Sequence, residues 1–215
     1  FSFIAETIEY AGEGILKKEY EKLKKKLAEE GLFAKERKRP IPVYPQKIGV
    51  ITSRRGAVLA DFLNNIGKFG FKIKMIDSRV EGQEAVKDLL ASIRTFREKE
   101  IDILVIIRGG GSLESLMPFN NELLVREVAN FPVPVIAGIG HDKDEPLVAL
   151  AADASESTPT AVANLLNESW EEALLLLERY ERGILGSFEG IFEKYKNAER
   201  SLMISFGNFQ NALLN

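Results

Sequence analysis

The chain contains no cysteine, which excludes disulfide bridges and thiolate metal sites and fits a cytoplasmic protein. Long apolar runs are missing as well: none approaches the roughly 18–20 residues that a membrane-spanning helix needs. The opening FSFIAETIEY has no basic stretch leading into an apolar core, so no secretory signal is expected. Histidine occurs once, at His141. There is no global excess of positive charge, since 29 Lys and Arg stand against 32 Asp and Glu. A protein with this balance that binds a polyanion must concentrate its positive charge locally.

What is present begins with two such concentrations. The first comprises Lys17, Lys18, Lys22, Lys24, Lys25 and Lys26, and the interleaved Glu19, Glu21, Glu29 and Glu30 make a solvated helix face its plainer reading. The second comprises Lys35, Arg37, Lys38 and Arg39 with Glu36 as its only acid, so anion binding and a solvated surface both stay open. Hydrophobic residues make up 45% of 215 residues, enough for one α/β core plus extra helices. Residues 1–8 alternate loosely, as a strand or the remnant of one. Ile15, Leu16, Tyr20, Leu23 and Leu27 then follow helical spacing until Gly31. Three prolines within 39–45 mark an extended connector.

A repeated pattern follows. The runs KIGVIT (47–52), FKIKMID (71–77), IDILVII (101–107) and VPVIAGI (133–139) are short and apolar or β-branched. Between them lie helical stretches at 56–68, 83–96 and 119–130. Alternation of this kind predicts a doubly wound, mostly parallel sheet of about four to five strands with flanking helices. IDILVII, apolar on both faces after Asp102, suits a central strand. From Val162 onward the pattern changes: Leu174, Leu177, Ile184, Phe188, Ile191, Tyr195, Ala198 and Leu202 recur at three-four spacing, with Glu181 the one break. Gly183, Gly186 and Gly190 each cost a lone helix about 1 kcal/mol against alanine. The segment therefore needs a partner, either a coiled-coil neighbour or the α/β core itself. The expected organisation is an N-terminal linker helix over 1–39, a catalytic α/β domain over 40–166 and a coiled-coil-like assembly segment over 167–215.

In open parallel sheets ligands bind outside the carboxyl ends of the strands, and three of those ends carry unusual residues. After the first strand comes Thr52-Ser53-Arg54-Arg55-Gly56, where Ser53 reads as a helix N-cap and the two arginines add charge; Asp61 follows in the second helical turn. After the third comes Arg108-Gly109-Gly110-Gly111-Ser112. Three glycines let successive N–H groups converge on an oxyanion, and Arg108 reaches the same anion with a planar fork. After the fourth comes Gly138-Ile139-Gly140-His141-Asp142-Lys143-Asp144. Imidazole is the group best suited to proton transfer near neutral pH, neighbouring carboxylates would orient it, and Gly138 and Gly140 would let a substrate approach the backbone. Further on, Ser157 or Thr158 as N-cap with Pro159 at the first helical position explains the turn over 155–160. Together these are the parts of a phosphoryl-transfer hydrolase. A non-catalytic nucleotide- or phosphate-binding module is the alternative from another functional class.

At these residues the chain resembles the large subunit of exodeoxyribonuclease VII. The likeness runs through AGEGIL (11–16), KRPIPVYPQKIGVITS (38–53), Gly56-Ala57 with Asp61, RGGGSLESL (108–116), FNNE (119–122), GIGHDKD (138–144), AAD (151–153) and STPTAVA (157–163). It implies an exonuclease that degrades single-stranded DNA from either end to oligonucleotides, in complex with several small helical subunits and with no required metal cofactor. By motif position it implies the catalytic set Asp61, Arg108, His141 and Asp144; the chemistry of the loop residues themselves puts Ser53, Arg54, Arg55, Gly109, Gly110, Gly111 and Ser112 around the phosphate. A Mg²⁺ held by Asp61, Asp142 and Asp144 stays open on ligand chemistry. The chain departs from the family pattern at Arg54, Arg55, Ser115, Met117, Asp142 and Lys143. The family's N-terminal OB-fold is expected to be missing, which makes the chain a fragment or a shortened member.

Overall fold

Parallel strands need crossover connections, and this sequence supplies a helix after each apolar run. The computed structural model describes residues 13–55, 57–110, 113–140 and 145–213. Helix α1 (Glu13–Glu29) leads into strand β1 (Lys47–Thr52), helix α2 (Ala57–Asn65), strand β2 (Lys72–Asp77) and helix α3 (Ala85–Arg97). Strand β3 (Ile103–Ile107), the short helix α4 (Leu113–Leu116), helix α5 (Glu122–Ala129) and strand β4 (Val135–Gly138) follow. The order closes with helix α6 (Leu147–Ala151), strand β5 (Ala154–Glu156) and helix α7 (Pro159–Leu213). The region read as a strand at 1–8 lies outside the described residues.

The five strands are all parallel, in the order β2-β1-β3-β4-β5. The fully buried β3 sits at the centre, as its two-sided apolar pattern requires. Period-two alternation divides the core. Ile48, Val50, Val105 and Ile136 face α2 and the first turns of α7, where Phe62, Val162 and Leu166 pack. Ile51, Leu104, Ile106 and Ala137 face the other side, with Leu89, Ile93, Phe96, Leu124 and Val128 from α3 and α5. Leu27 of α1 is fully buried in that second layer. Gly31 ends α1 at φ +78 with the paired bonds of a left-handed cap, Gly31 N to Ala28 O (2.9 Å) and Leu32 N to Leu27 O (3.0 Å).

Three local readings need correction. β5 lies in a stretch read as a turn, because Ala154-Ser155-Glu156 has no β-branched residue and is held by backbone pairing to β4 alone. The single helix read over 119–130 is a 3₁₀ turn (Met117–Asn120) and then α5, which starts where the Asn121 side chain accepts from Leu123 N (3.0 Å) and Leu124 N (3.3 Å). α6 was not expected at all. At the start of α7, Thr158 Oγ1 accepts from Ala161 N (3.0 Å) and Pro159 takes the first helical position, as read.

The two basic clusters are also resolved. Lys26 pairs with Glu122 (2.8 Å), and Arg126 with Glu30 (2.7 Å), so α1 is tied to α5 by surface charge. Arg37 donates through Nε to Leu32 O (2.9 Å) and through its two terminal nitrogens to Ala129 O and Ala151 O. Arg39 donates to Phe131 O and to both oxygens of Asp153. Asp153 also accepts from the amides of Arg39 and Val135, both at 2.7 Å, and its side chain is 1% exposed. Burial alone would raise the Asp153 pKa, but Arg39 and the two amides hold it below the usual carboxylate range. Anion binding is thus closed for Arg37 and Arg39: Arg37 holds the carbonyl ends of α5 and α6, and Arg39 holds Phe131 and the buried Asp153.

The chain divides into two compact units, residues 1–168 and 169–215. Within the first, Asn167 accepts from Gly67 N (2.8 Å) and donates to Asn65 O (2.9 Å), joining the root of α7 to the end of α2. Within the second, Leu174, Leu177, Ile184, Phe188, Ile191, Tyr195 and Leu202 are all exposed. Among the described residues no helix is long and apolar enough to cross a membrane.

Candidate functional site

The strand order reverses direction between β1 and β3, the topological switch point where open α/β sheets bind ligands. The residues at the carboxyl ends of these two neighbours are Thr52 and Arg108. Thr52 is completely buried, and its hydroxyl has no hydrogen-bond partner among the described residues. Beyond it, Asp77 at the end of β2 accepts from Arg54 N (2.7 Å), and the Ser53 hydroxyl accepts from Arg55 N (3.2 Å). Because α2 begins only at Ala57, the Ser53 hydroxyl closes a turn two residues long and is not the helix cap it was read as. Arg54 and Arg55 are left exposed, in no ion pair among the described residues.

Arg108 is 3% exposed. Its amide donates to Gly138 O (3.0 Å), which extends the β3–β4 ladder by one bond. Its side chain donates from Nη2 to Ser115 Oγ (3.1 Å) and Gly110 O (3.2 Å), while Nη1 is buried with no partner among the described residues. Burial pushes the guanidinium below its ordinary pKa, and the nearby Glu81 carboxylate partly offsets this. Arginine keeps its proton regardless, so a full positive charge is held by two neutral acceptors among the described residues. That arrangement is costly unless an anion arrives to share the donors.

The glycines divide by role. A side chain on Gly109 would come within 3.0 Å of Val58, whereas Gly110 has open space around its Cα. Gly138 does not clear a path for substrate as read. Its missing side chain makes room for core methyls, since a Cβ there would lie 2.5 Å from Val162 Cγ2 and 2.9 Å from Ile107 Cγ2. Gly140 adopts φ +81, a conformation that suits glycine.

Asp61 lies on α2 with its side chain exposed; its main-chain carbonyl accepts from Asn65 Nδ2 (2.7 Å). Gly111 and Ser112, like His141, Asp142, Lys143 and Asp144, lie outside the described residues. Among the described residues no three carboxylates or imidazoles gather into a metal cluster. The topology therefore brings together the Thr52–Arg55 loop and Arg108. Sequence reasoning missed Asp77, Glu81, Ser115 and the buried hydroxyl of Ser155 on β5, which has no partner among the described residues. Only Asp77, an acid at a strand end, carried a signal that could have been used.

A crevice with a buried cation, two exposed arginines and unpartnered donors is equipped to hold oxyanions. Comparison with known proteins points the same way. The family described as "Exonuclease VII, large subunit" matches residues 32–213. The exodeoxyribonuclease 7 large subunit of Tolumonas auensis is 41% identical over 184 residues, covering 84% of this chain and 41% of that protein. That of Lactobacillus delbrueckii subsp. bulgaricus is 38% identical over 210 residues, covering 96% and 46%. That of Pseudomonas aeruginosa is 39% identical over 168 residues, covering 77% and 37%. The chain thus spans less than half the length of these curated relatives. Given a match that takes in both arms of the switch-point crevice and most of the helices around it, the chain belongs to the exonuclease VII large-subunit family.

Proposed function

We propose that the chain carries the catalytic α/β domain of an exonuclease that hydrolyses single-stranded DNA from either end to oligonucleotides, as the large subunit of a multi-subunit complex. The observation that carries this reading is Arg108, a buried cation with a free donor at the mouth of the sheet. In the proposed reaction a water oxygen attacks phosphorus and the P–O ester bond to the leaving nucleotide breaks. His141 takes the water proton, and a proton is returned to the departing oxygen. Asp61 and Asp144 orient the imidazole or the water. Negative charge gathers on the non-bridging oxygens, where Arg108 and the amides of Gly109, Gly110 and Gly111 oppose it. Ser53, Arg54, Arg55 and Ser112 hold neighbouring phosphates. No metal cofactor is part of this scheme, and assays with and without a chelator bear on the Mg²⁺ alternative at Asp61, Asp142 and Asp144. A cytoplasmic location accords with the cysteine-free sequence.

The apolar residues exposed along 174–202 support a second element of the proposal, that this segment docks small helical subunits of the same nuclease. Full-length complex assayed on labelled single-stranded DNA tests the whole reading. Removing a principal oxyanion donor lowers rates by about 10²–10³ and losing a general base by about 10²–10⁴, so Arg108→Ala and His141→Ala should each slow cleavage at least about a hundredfold with melting unchanged. Cleavage retained by both variants would refute the site. Tight nucleotide binding without cleavage under any subunit composition would favour the binding-module alternative. Sedimentation with a small helical partner should show complex formation that is lost on deleting residues 170–215, and equal binding by both forms would remove the assembly role.

A further inference from the structure

Helix α6 begins without a side-chain cap of its own. Pro146 occupies the N-cap position and carries no side-chain acceptor, so the first amide of the helix, Leu147 N, needs one from elsewhere. Asn120, in the FNNE stretch, supplies it: Leu147 N donates to Asn120 Oδ1 at 2.9 Å, across 27 positions of sequence. Because the donor is a main-chain N–H, the accepting atom is the amide oxygen. The core sets both ends of this bond, since Phe119 and Leu147 are completely buried in the layer that α3 and α5 cover. Tyr20 of α1 adds a tie two residues earlier, its hydroxyl donating to Glu145 O (2.8 Å).

The bond does more than cap a short helix. Residues 108–120 carry Arg108 and the glycine run and end at Asn120; residues 138–147 carry His141 and Asp144 and end at Leu147. At the sheet the two segments are joined by Arg108 N donating to Gly138 O (3.0 Å). At their far ends they are joined again, by Leu147 N donating to Asn120 Oδ1. Two hydrogen bonds therefore close both segments into one ring of chain. The first lies between main-chain groups and needs no particular side chain, whereas the second depends on one.

We infer that Asn120 is a positioning residue: its amide oxygen fixes the far root of the segment bearing His141 and Asp144 against the segment bearing Arg108. The proton-transfer group and the phosphate-holding cation are thereby kept at one spacing. This role rests on the hydrolytic reading above, and Asn120 itself touches no substrate. Loss of the oxygen should disturb the chemical step and spare the grip on DNA, because the arginines of the crevice keep their own supports.

The test uses the full complex, with single-turnover cleavage of labelled single-stranded DNA and binding of a phosphorothioate-linked oligonucleotide, both below the melting temperature of every variant. Asn120→Ala should slow cleavage by about 10- to 100-fold, the upper figure being what a misplacement of roughly 1 Å costs, with oligonucleotide affinity little changed. Asn120→Asp keeps an acceptor for the same amide and should recover most of the rate. Asn121→Ala, one residue on, uncaps α5 instead and should cleave like wild type, which separates positioning from lost stability. Wild-type cleavage by Asn120→Ala, no recovery by Asn120→Asp, or equal slowing by Asn121→Ala overturns the inference. If Asn120→Ala fails to fold, the near-isosteric Asn120→Leu, which fills the same volume without an acceptor, is read in its place. Wild-type cleavage by His141→Ala would bring down the hydrolytic site itself, whereas an inactive His141→Ala beside wild-type Asn120 variants would remove only the asparagine.

Discussion

Replacing Asp153 with alanine should be among the most damaging single changes outside the crevice. The carboxylate accepts from Arg39 N, Val135 N and Arg39 Nη2, all at 2.7 Å, and from Arg39 Nε at 3.1 Å. Its removal strips two main-chain amides of their acceptor, each worth about 1–3 kcal/mol when left unsatisfied. The Arg39 guanidinium keeps Phe131 O and is 30% exposed, so solvent recovers part of its loss. The net cost should fall near the roughly 3–5 kcal/mol that breaking a buried pair incurs, a large share of a domain's stability. The pH dependence has a defined sign. The folded-state pKa of Asp153 is lowered, so its contribution is fully present above the unfolded value and lost as pH falls through the folded one. Wild type should therefore lose this increment only below about pH 4. Urea unfolding followed by far-ultraviolet circular dichroism, at neutral pH and across the acid range, reads both effects. A neutral-pH loss under about 1 kcal/mol, less than one unsatisfied amide should cost, would refute this role of Asp153. So would an acid-induced loss in Asp153→Ala equal to that of wild type.

Gly138→Ala should lower the thermal midpoint through an overpacking cost of about 1–3 kcal/mol, because the new methyl meets Val162 and Ile107 at 2.5 and 2.9 Å. Adding Val162→Ala should recover part of that loss, and failure to do so would point to a backbone cause. Asp77→Ala frees the Arg54 amide and should weaken oligonucleotide binding more than it slows single-turnover cleavage in the full complex; the reverse pattern would remove this loop from substrate holding. Asn121→Ala should cost about 0.5–2 kcal/mol of urea stability as a lost helix cap, and an unchanged midpoint would show that α5 needs no cap.

The four strands were legible because burial on both faces demands continuous apolar runs, and crossover helices punctuate them at regular intervals. The central place of β3 followed from IDILVII alone. β5 was not legible: an edge strand of three small or polar residues joins the sheet through its backbone, and backbone pairing leaves no composition signal. The split at Asn121 was written in the sequence as a cap before a charged first turn, but the apolar spacing on both sides of it masks the break. Arg108 was identifiable from its place between a strand and a glycine run. Its burial and its bond to Ser115 were not, because they depend on where the fold brings α4. Arg37 and Arg39 show the opposite error. Charge density in a connector looks like a surface for polyanions, and only the fold reveals the carbonyls and the buried Asp153 that occupy it.

One glycine joins two parts of the molecule that the sequence keeps apart. A methyl of Val162, in the opening turn of α7, sits where the Gly138 side chain would be, and the Gly138 carbonyl receives the Arg108 amide. The base of the longest helix is therefore one van der Waals contact and one hydrogen bond from the buried cation. A bulkier residue at 138 would therefore push on the first turn of α7 and on the strand end that carries the arginine at once.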